Sequence, residues 1–292
     1  MQATNLKTNH LTQPLGIDAG TLFLSWQCAE GVRQTAYEIE VTAGAETLWT
    51  SGKILSSMMH TETPAVPPKT QGRWRIRLWD ENDQPGAWST ASFETGFAQA
   101  DWQGVWVCPE TEEPDIDCTD AINAFAKPNW EQKQAALEAS GKGQVQPYQP
   151  HRPASYLRKT FTAPAGQCKR LYITAKGLYA AWLNGKRVGD MVLAPGSFTA
   201  DKHLGAQTYD VTALVRDGEN ELLIALGDGW YRSTSGVDGD RDLFGKEVAV
   251  LFQLEVDGKA VCVSDSSMAA TQCGPICQND LQQGEVYDAR LE

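Results

Sequence analysis

The sequence predicts an all-β protein made of two successive β-sandwich domains, the second of jelly-roll type and carrying a short helical insertion. Three observations predict it. Short runs alternate apolar and polar residues between clusters of turn residues, the pattern of half-buried strands. The dipeptides Asn184-Gly185 and Asp257-Gly258 stand between such runs, where a two-residue hairpin needs positive φ. A length of 292 residues is enough for two cores at roughly 100–200 residues per domain.

The first domain is expected over residues 1–98, with its strands between Leu15 and Gly96. Leu22-Phe-Leu-Ser-Trp-Gln-Cys28 places Leu22, Leu24, Trp26 and Cys28 on one face and Phe23, Ser25 and Gln27 on the other. Tyr37 to Val41 alternates in the same way, as do Trp74, Ile76 and Leu78. With no helical period between them, these strands form an antiparallel sandwich with Trp26, Tyr37 and Trp74 in its core.

The second domain is expected over 99–292, interrupted by an insertion at 109–153. Pro109 to Asp120 carries six acidic residues and two prolines, a composition for a surface loop. Asn129 to Ser140 then has an N-cap asparagine, strong helix formers and a terminating Gly141, so one short helix is expected, with Trp130 and Leu137 on one face. Gln144 to Pro153 is an extended, proline-rich return. Beyond the insertion, Leu222–Leu226 and Val248–Phe252 are continuous apolar runs, which fit strands covered on both faces.

Composition excludes several classes of function. The formal net charge is −12, from 25 basic and 37 acidic residues, so phosphate backbones and anionic membranes are repelled and nucleic acid is not an expected partner. The longest apolar stretches are strand-length, short of the roughly 20 residues of a membrane helix. The polar start, Met1 to His10, lacks the apolar segment of a secretory signal, and a cytoplasmic location is expected. Seven irregularly spaced cysteines suit a reducing compartment, and the lone Cys273-x3-Cys277 has no second pair to complete a zinc site.

Catalytic signatures are missing. There is no G-x-S-x-G, P-loop, dinucleotide fingerprint or H-E-x-x-H, and no spacing pairs two carboxylates for glycoside hydrolysis. The richest constellation is Gly227 to Gly245, which puts Asp228, Trp230, Tyr231 and Arg232 on a loop after the apolar strand 222–226. Aromatic rings stack on the C–H face of a sugar, while Asp accepts and Arg donates paired hydrogen bonds with adjacent hydroxyls. The alternative is that the two rings pack beneath the loop and the acids are solvated turn residues. Asp238, Asp240 and Asp242 stand at alternate positions, a spacing that suggests calcium, although the glycine and glutamate of an EF-hand loop are missing.

Several runs resemble a known family. Pro14-Leu-Gly-Ile-Asp18, Leu24-Ser-Trp-Gln27, Leu78-Trp-Asp80 and Phe93-Glu-Thr-Gly96 are similar to the fibronectin-III-like, Ig-like first domain of bacterial α-L-rhamnosidases, glycoside hydrolase family 78. Leu183-Asn-Gly185, Arg187-Val-Gly-Asp190, Leu193-Ala-Pro-Gly196, Gln207-Thr-Tyr-Asp-Val-Thr212, Gly227-Asp-Gly-Trp-Tyr231 and Tyr287-Asp-Ala-Arg290 resemble the next domain of the same enzymes. The resemblance implies a non-catalytic region preceding an (α/α)6 barrel that bears the hydrolysing carboxylates, so catalytic residues have no positions here. It implies two roles: binding a rhamnosyl glycan, or serving as a scaffold that docks the catalytic domain of the same polypeptide. Some members carry a calcium-dependent L-rhamnose-binding module of this sandwich type. The resemblance carries its ligand acid onto Asp190, beside which Met191 departs from the usual polar residue.

Overall fold

A computed structural model describes residues 1–109, 139, 152–234 and 242–292. The insertion expected over 109–153 therefore falls almost wholly outside the described residues, as do Asp238 and Asp240. The described chain forms two compact units. The first is Met1–Gln103 with the short stretches Arg170–Tyr172 and Ala206–Asp210; the second is the remainder.

The first unit is a sandwich. One sheet has the order β1-β2-β6, from Gln2–Thr8, Phe23–Ala29 and His60–Glu62. The other runs β4-β3-β7-β8, from Glu46–Thr50, Ala36–Ala43, Gln71–Trp79 and Ser89–Glu94, with the two-residue β5, Ile54–Leu55, also on β3. Register puts inward residues opposite one another, Tyr37 with Leu78, Ile39 with Ile76 and Val41 with Trp74. Together with Leu22, Leu24 and Trp26 these make a single apolar core, where cross-strand contacts stabilise the sheet.

Two details differ from the sequence expectation. Cys28 is exposed, because the alternation of β2 leaves the core after Trp26. The polar start forms β1, which pairs antiparallel with β2 and buries only Ala3 and Thr8. Thr8 accepts the indole N–H of the fully buried Trp74 at 3.0 Å, satisfying a donor that burial would otherwise leave unpaired.

The second unit is also built from two sheets. A five-stranded sheet has the order β12-β11-β14-β9-β17, from Lys186–Arg187, Leu178–Leu183, Gly218–Gly227, Ser155–Ala163 and Ala269–Thr271. A four-stranded sheet runs β13-β10-β15-β16, from Gln207–Asp210, Lys169–Lys176, Ala249–Val256 and Lys259–Val263, of which β13 and Arg170–Tyr172 of β10 are stretches counted with the first unit. The chain crosses repeatedly from one sheet to the other, as in jelly rolls. A separate hairpin, β18 (Ile276–Asp280) and β19 (Gly284–Tyr287), follows.

Both expected turns form. Asn184 and Gly185 take φ of 51° and 78° between β11 and β12, and Asp257 and Gly258 take 48° and 77° between β15 and β16. β15 is buried along its whole length, as its apolar run implied. β14 is not: Leu222, Ile224 and Leu226 are buried while Leu223 and Ala225 are half-exposed, so only one of its faces is fully covered.

Candidate functional site

The site grows from the end of β14. There the chain forms not a loop but one helical turn, α1, Gly229–Arg232, which corrects the expectation for this segment. Asp228 and Arg232 are only 1% and 2% exposed and stand four residues apart across that turn. Their charged groups meet at 2.6 Å, and Arg232 also donates to the Lys246 carbonyl at 3.0 Å. The two charged groups expected to hydrogen-bond a sugar are thus engaged inside the fold.

The aromatic pair behaves differently. Trp230 and Tyr231 are half-exposed. With Phe244, Pro195, Phe198 and Leu204 they line a small hollow. The rings of Tyr231 and Phe244 lie 6.3 Å apart, and the Phe244 amide donates to the Tyr231 carbonyl at 3.1 Å. Phe198 meets His203 edge-on at 5.4 Å. The free space inside the hollow is only about 10 Å³, at the lower limit for one water, so a sugar ring would lie across its rim.

Polar groups border this aromatic face. Burial pushes the Tyr231 hydroxyl above its ordinary pKa, and the nearby Glu247 carboxylate and Cys108 add to the shift. The Cys108 thiol is raised by burial, then by Glu247, so it is a weak nucleophile. Phe244 lies within the Gly227–Gly245 stretch but carried no signal that set it apart, whereas Glu247 and Phe198 lie outside that stretch and join it only through the fold.

The remaining expected residues do not join the hollow. Asp190 is exposed and is not among the residues lining it. Asp242, expected as a cation ligand, is paired with Arg152 at 2.7 Å, both side chains being largely buried. A carboxylate held by a guanidinium has its charge compensated already. Among the described residues, no group of three or more His, Cys, Asp or Glu side chains comes together to hold a metal.

A wider groove of about 410 Å³ lies along β9 and β14, lined by Thr160, Thr162, Arg216, Glu219 and Glu221. Its charged groups are largely engaged with the fold. Glu221 pairs with Arg158 at 2.5 Å, and Arg216 donates to Asn184 at 2.7 Å. Among the described residues, no helix is long and apolar enough to cross a membrane.

An Ig-like sandwich followed by a jelly-roll sandwich with an aromatic turn at the end of its long central strand defines a class of paired β-domains. Comparison with known proteins makes the class specific. Residues 3–99 match the Rha78A-like, N-terminal immunoglobulin domain, and residues 167–292 match the alpha-L-rhamnosidase N-terminal domain. An alpha-L-rhamnosidase of Formosa agariphila is 31% identical, over 98% of this chain and 31% of that protein. Another, of Streptomyces avermitilis, is 27% identical, over 100% of this chain and 43% of that protein.

Solved structures agree. Alpha-L-rhamnosidase from Aspergillus terreus superposes on 100% of this chain and 32% of its own, with a TM-score of 0.79 and 28% identity. The Streptomyces avermitilis enzyme complexed with L-rhamnose does so over 100% of this chain and 43% of its own, with a TM-score of 0.78 and 25% identity. The chain thus spans only 31–43% of the length of these two curated relatives. It belongs with the N-terminal two-domain region of the α-L-rhamnosidases, glycoside hydrolase family 78.

Proposed function

We propose that this chain is a non-catalytic accessory region of a longer α-L-rhamnosidase-like glycoside hydrolase, and that its second domain holds a rhamnosyl glycan against the Trp230–Tyr231–Phe244 face. One observation carries the reading. Three aromatic side chains from two segments converge at the surface beside the Glu247 carboxylate. Stacking supplies affinity for the C–H face of a pyranose, and a neighbouring carboxylate accepts its hydroxyl protons. Asp228 and Arg232 support the face from below, and Asp190 contributes nothing to it.

Titration calorimetry with L-rhamnose, once with calcium and once with a chelator, tests the proposal. Binding of equal strength in both runs is expected, since the proposed contacts are the aromatic face and the Glu247 carboxylate. Trp230→Ala should weaken it by about tenfold or more, the scale of one lost aromatic contact in a binding site. Unchanged affinity in that variant would remove the face from the site.

A second reading has its own observation. Met191, Val192 and Leu193 form an exposed apolar run, at 41%, 73% and 49% exposure. Such a run suits burial against the catalytic domain of the same polypeptide, with these domains acting as scaffold. Absence of heat in both titrations would favour it.

A further inference from the structure

Helix α1 is a single turn, and a single turn has no stability of its own, because nucleation costs more than one hydrogen bond returns. The β18–β19 hairpin holds it at both ends. At the start, Asn279 accepts the Asp228 amide proton on Oδ1 at 2.5 Å and donates from Nδ2 to the Arg152 carbonyl at 3.0 Å. Gly227 makes room for this contact, since a Cβ there would stand 2.9 Å from Asn279 Oδ1.

At the far end the grip comes from Asp280, which is 4% exposed. One carboxylate oxygen accepts from the Thr234 amide at 2.7 Å and the Thr234 hydroxyl at 2.8 Å; the other accepts the Gln282 and Gln283 amides at 2.9 Å each. Leu281 donates its amide to Ser233 Oγ at 3.3 Å, and Gln283 Nε2 donates to the Thr234 hydroxyl oxygen at 3.0 Å. Burial works against the charged carboxylate, yet the donors of Thr234, Gln283 and Gln282 outweigh it and hold its pKa below the ordinary range.

We infer that Asn279 and Asp280 are positioning residues, and that the hairpin is a clamp setting the orientation of the α1 turn and with it Trp230 and Tyr231. The network reaches further, since Arg232 binds the Lys246 carbonyl and Arg152 binds Asp242, on the segment that bears Phe244. The consequence for glycan binding rests on the function proposed above. The clamp itself rests on geometry alone.

The test uses the whole chain labelled with 5-fluorotryptophan, in which the Trp230 fluorine resonance is the one lost in Trp230→Phe. Asn279→Ala and Asp280→Ala should shift or broaden that resonance while those of the core residues Trp26 and Trp74 stay in place. Amide exchange over 228–234 should rise by about tenfold or more, as expected when a local opening loses a buried partner. Ile224→Val, which weakens the same domain in its core, should leave the Trp230 resonance unmoved.

Should Asp280→Ala fail to fold, Asp280→Asn removes the charge, keeps one acceptor oxygen and carries the same readouts. Affinity for L-rhamnose should fall in the clamp variants. If the unaltered chain does not bind L-rhamnose, the glycan reading fails while resonance and exchange still decide the clamp. An unmoved Trp230 resonance with unchanged exchange over 228–234 in both clamp variants would overturn it.

Discussion

Arg232→Met breaks the buried ion pair beneath the aromatic turn. It leaves Asp228, 1% exposed, without the guanidinium 2.6 Å away and also removes the donor to the Lys246 carbonyl. Removing one partner of a buried pair costs about 3–5 kcal/mol, because the other charge stays desolvated and uncompensated. For a domain of 150–250 residues each kcal/mol lowers Tm by about 2–4 °C, so a fall of about 6–20 °C is expected in the second domain.

Thermal melts followed by circular dichroism, with urea titrations to check that the m-value holds, measure it. The double variant Asp228→Leu/Arg232→Met removes both charges and should recover most of the loss, since an apolar replacement of a buried pair is close to neutral. A loss of under about 1 kcal/mol in the single variant, or a double variant no better than the single, would refute the reasoning.

The remaining predictions concern acid stability and thiol reactivity. Hydrogen bonds from Lys159, then Ser267, hold the Asp265 carboxyl down at about 2. Its folded pKa lies below the unfolded one, so its stabilisation is present above about pH 4 and is lost as pH falls towards 2. The full linkage would be about 2.5 kcal/mol, but the side chain is 43% exposed and solvent screening leaves about 1 kcal/mol or less. Asp265→Asn should therefore be slightly less stable at pH 7 and indistinguishable near pH 2, and a difference that persists into acid would count against the pair. Burial pushes the Cys262 thiol up to about 12, while Cys28, Cys108 and Cys273 are exposed. Iodoacetamide labelling read by mass spectrometry should modify Cys273 first, Cys28 and Cys108 more slowly because burial raises their thiols, and Cys262 only after unfolding; early labelling of Cys262 would show that the strand opens.

How far the fold was legible follows from which interactions leave a periodic trace. Trp74, Ile76 and Leu78 declared their strand because a half-buried sheet repeats every two residues. β1 left no such trace: Gln2, Thr4, Asn5 and Lys7 are polar, and the residues it buries are the small Ala3 and Thr8. Its place is set by pairing with β2 and by the hydrogen bond from Trp74, which are tertiary facts. The run Leu222–Leu226 misled in the opposite direction, since apolar residues on a half-covered face look identical to residues in a core. The aromatic face was half legible. Trp230 and Tyr231 stand together in the chain and Phe244 lies in the same Gly227–Gly245 stretch, whereas Phe198 reaches the hollow only through the fold.

The stretch Gly227-Asp-Gly-Trp-Tyr-Arg232 reads differently once its contacts are known. Gly227 has no side chain because Asn279 occupies the space a Cβ would take. Asp228 and Arg232 are spaced four apart because that separation places two side chains on the same face of one helical turn, where they neutralise each other in the interior. Between them Trp230 and Tyr231 are left facing outward, half-exposed on a turn that the hairpin holds at both ends. The polar residues expected as ligands are buried as the mount, and Trp230 and Tyr231, expected either to stack on a sugar or to pack beneath the loop, lie half-exposed upon it. A single-turn helix can hold rings at a fixed angle only if its ends are pinned, so rigidity of the aromatic face depends on residues nearly fifty positions away, at Asn279 and Asp280. A substitution there should act on the face without touching it.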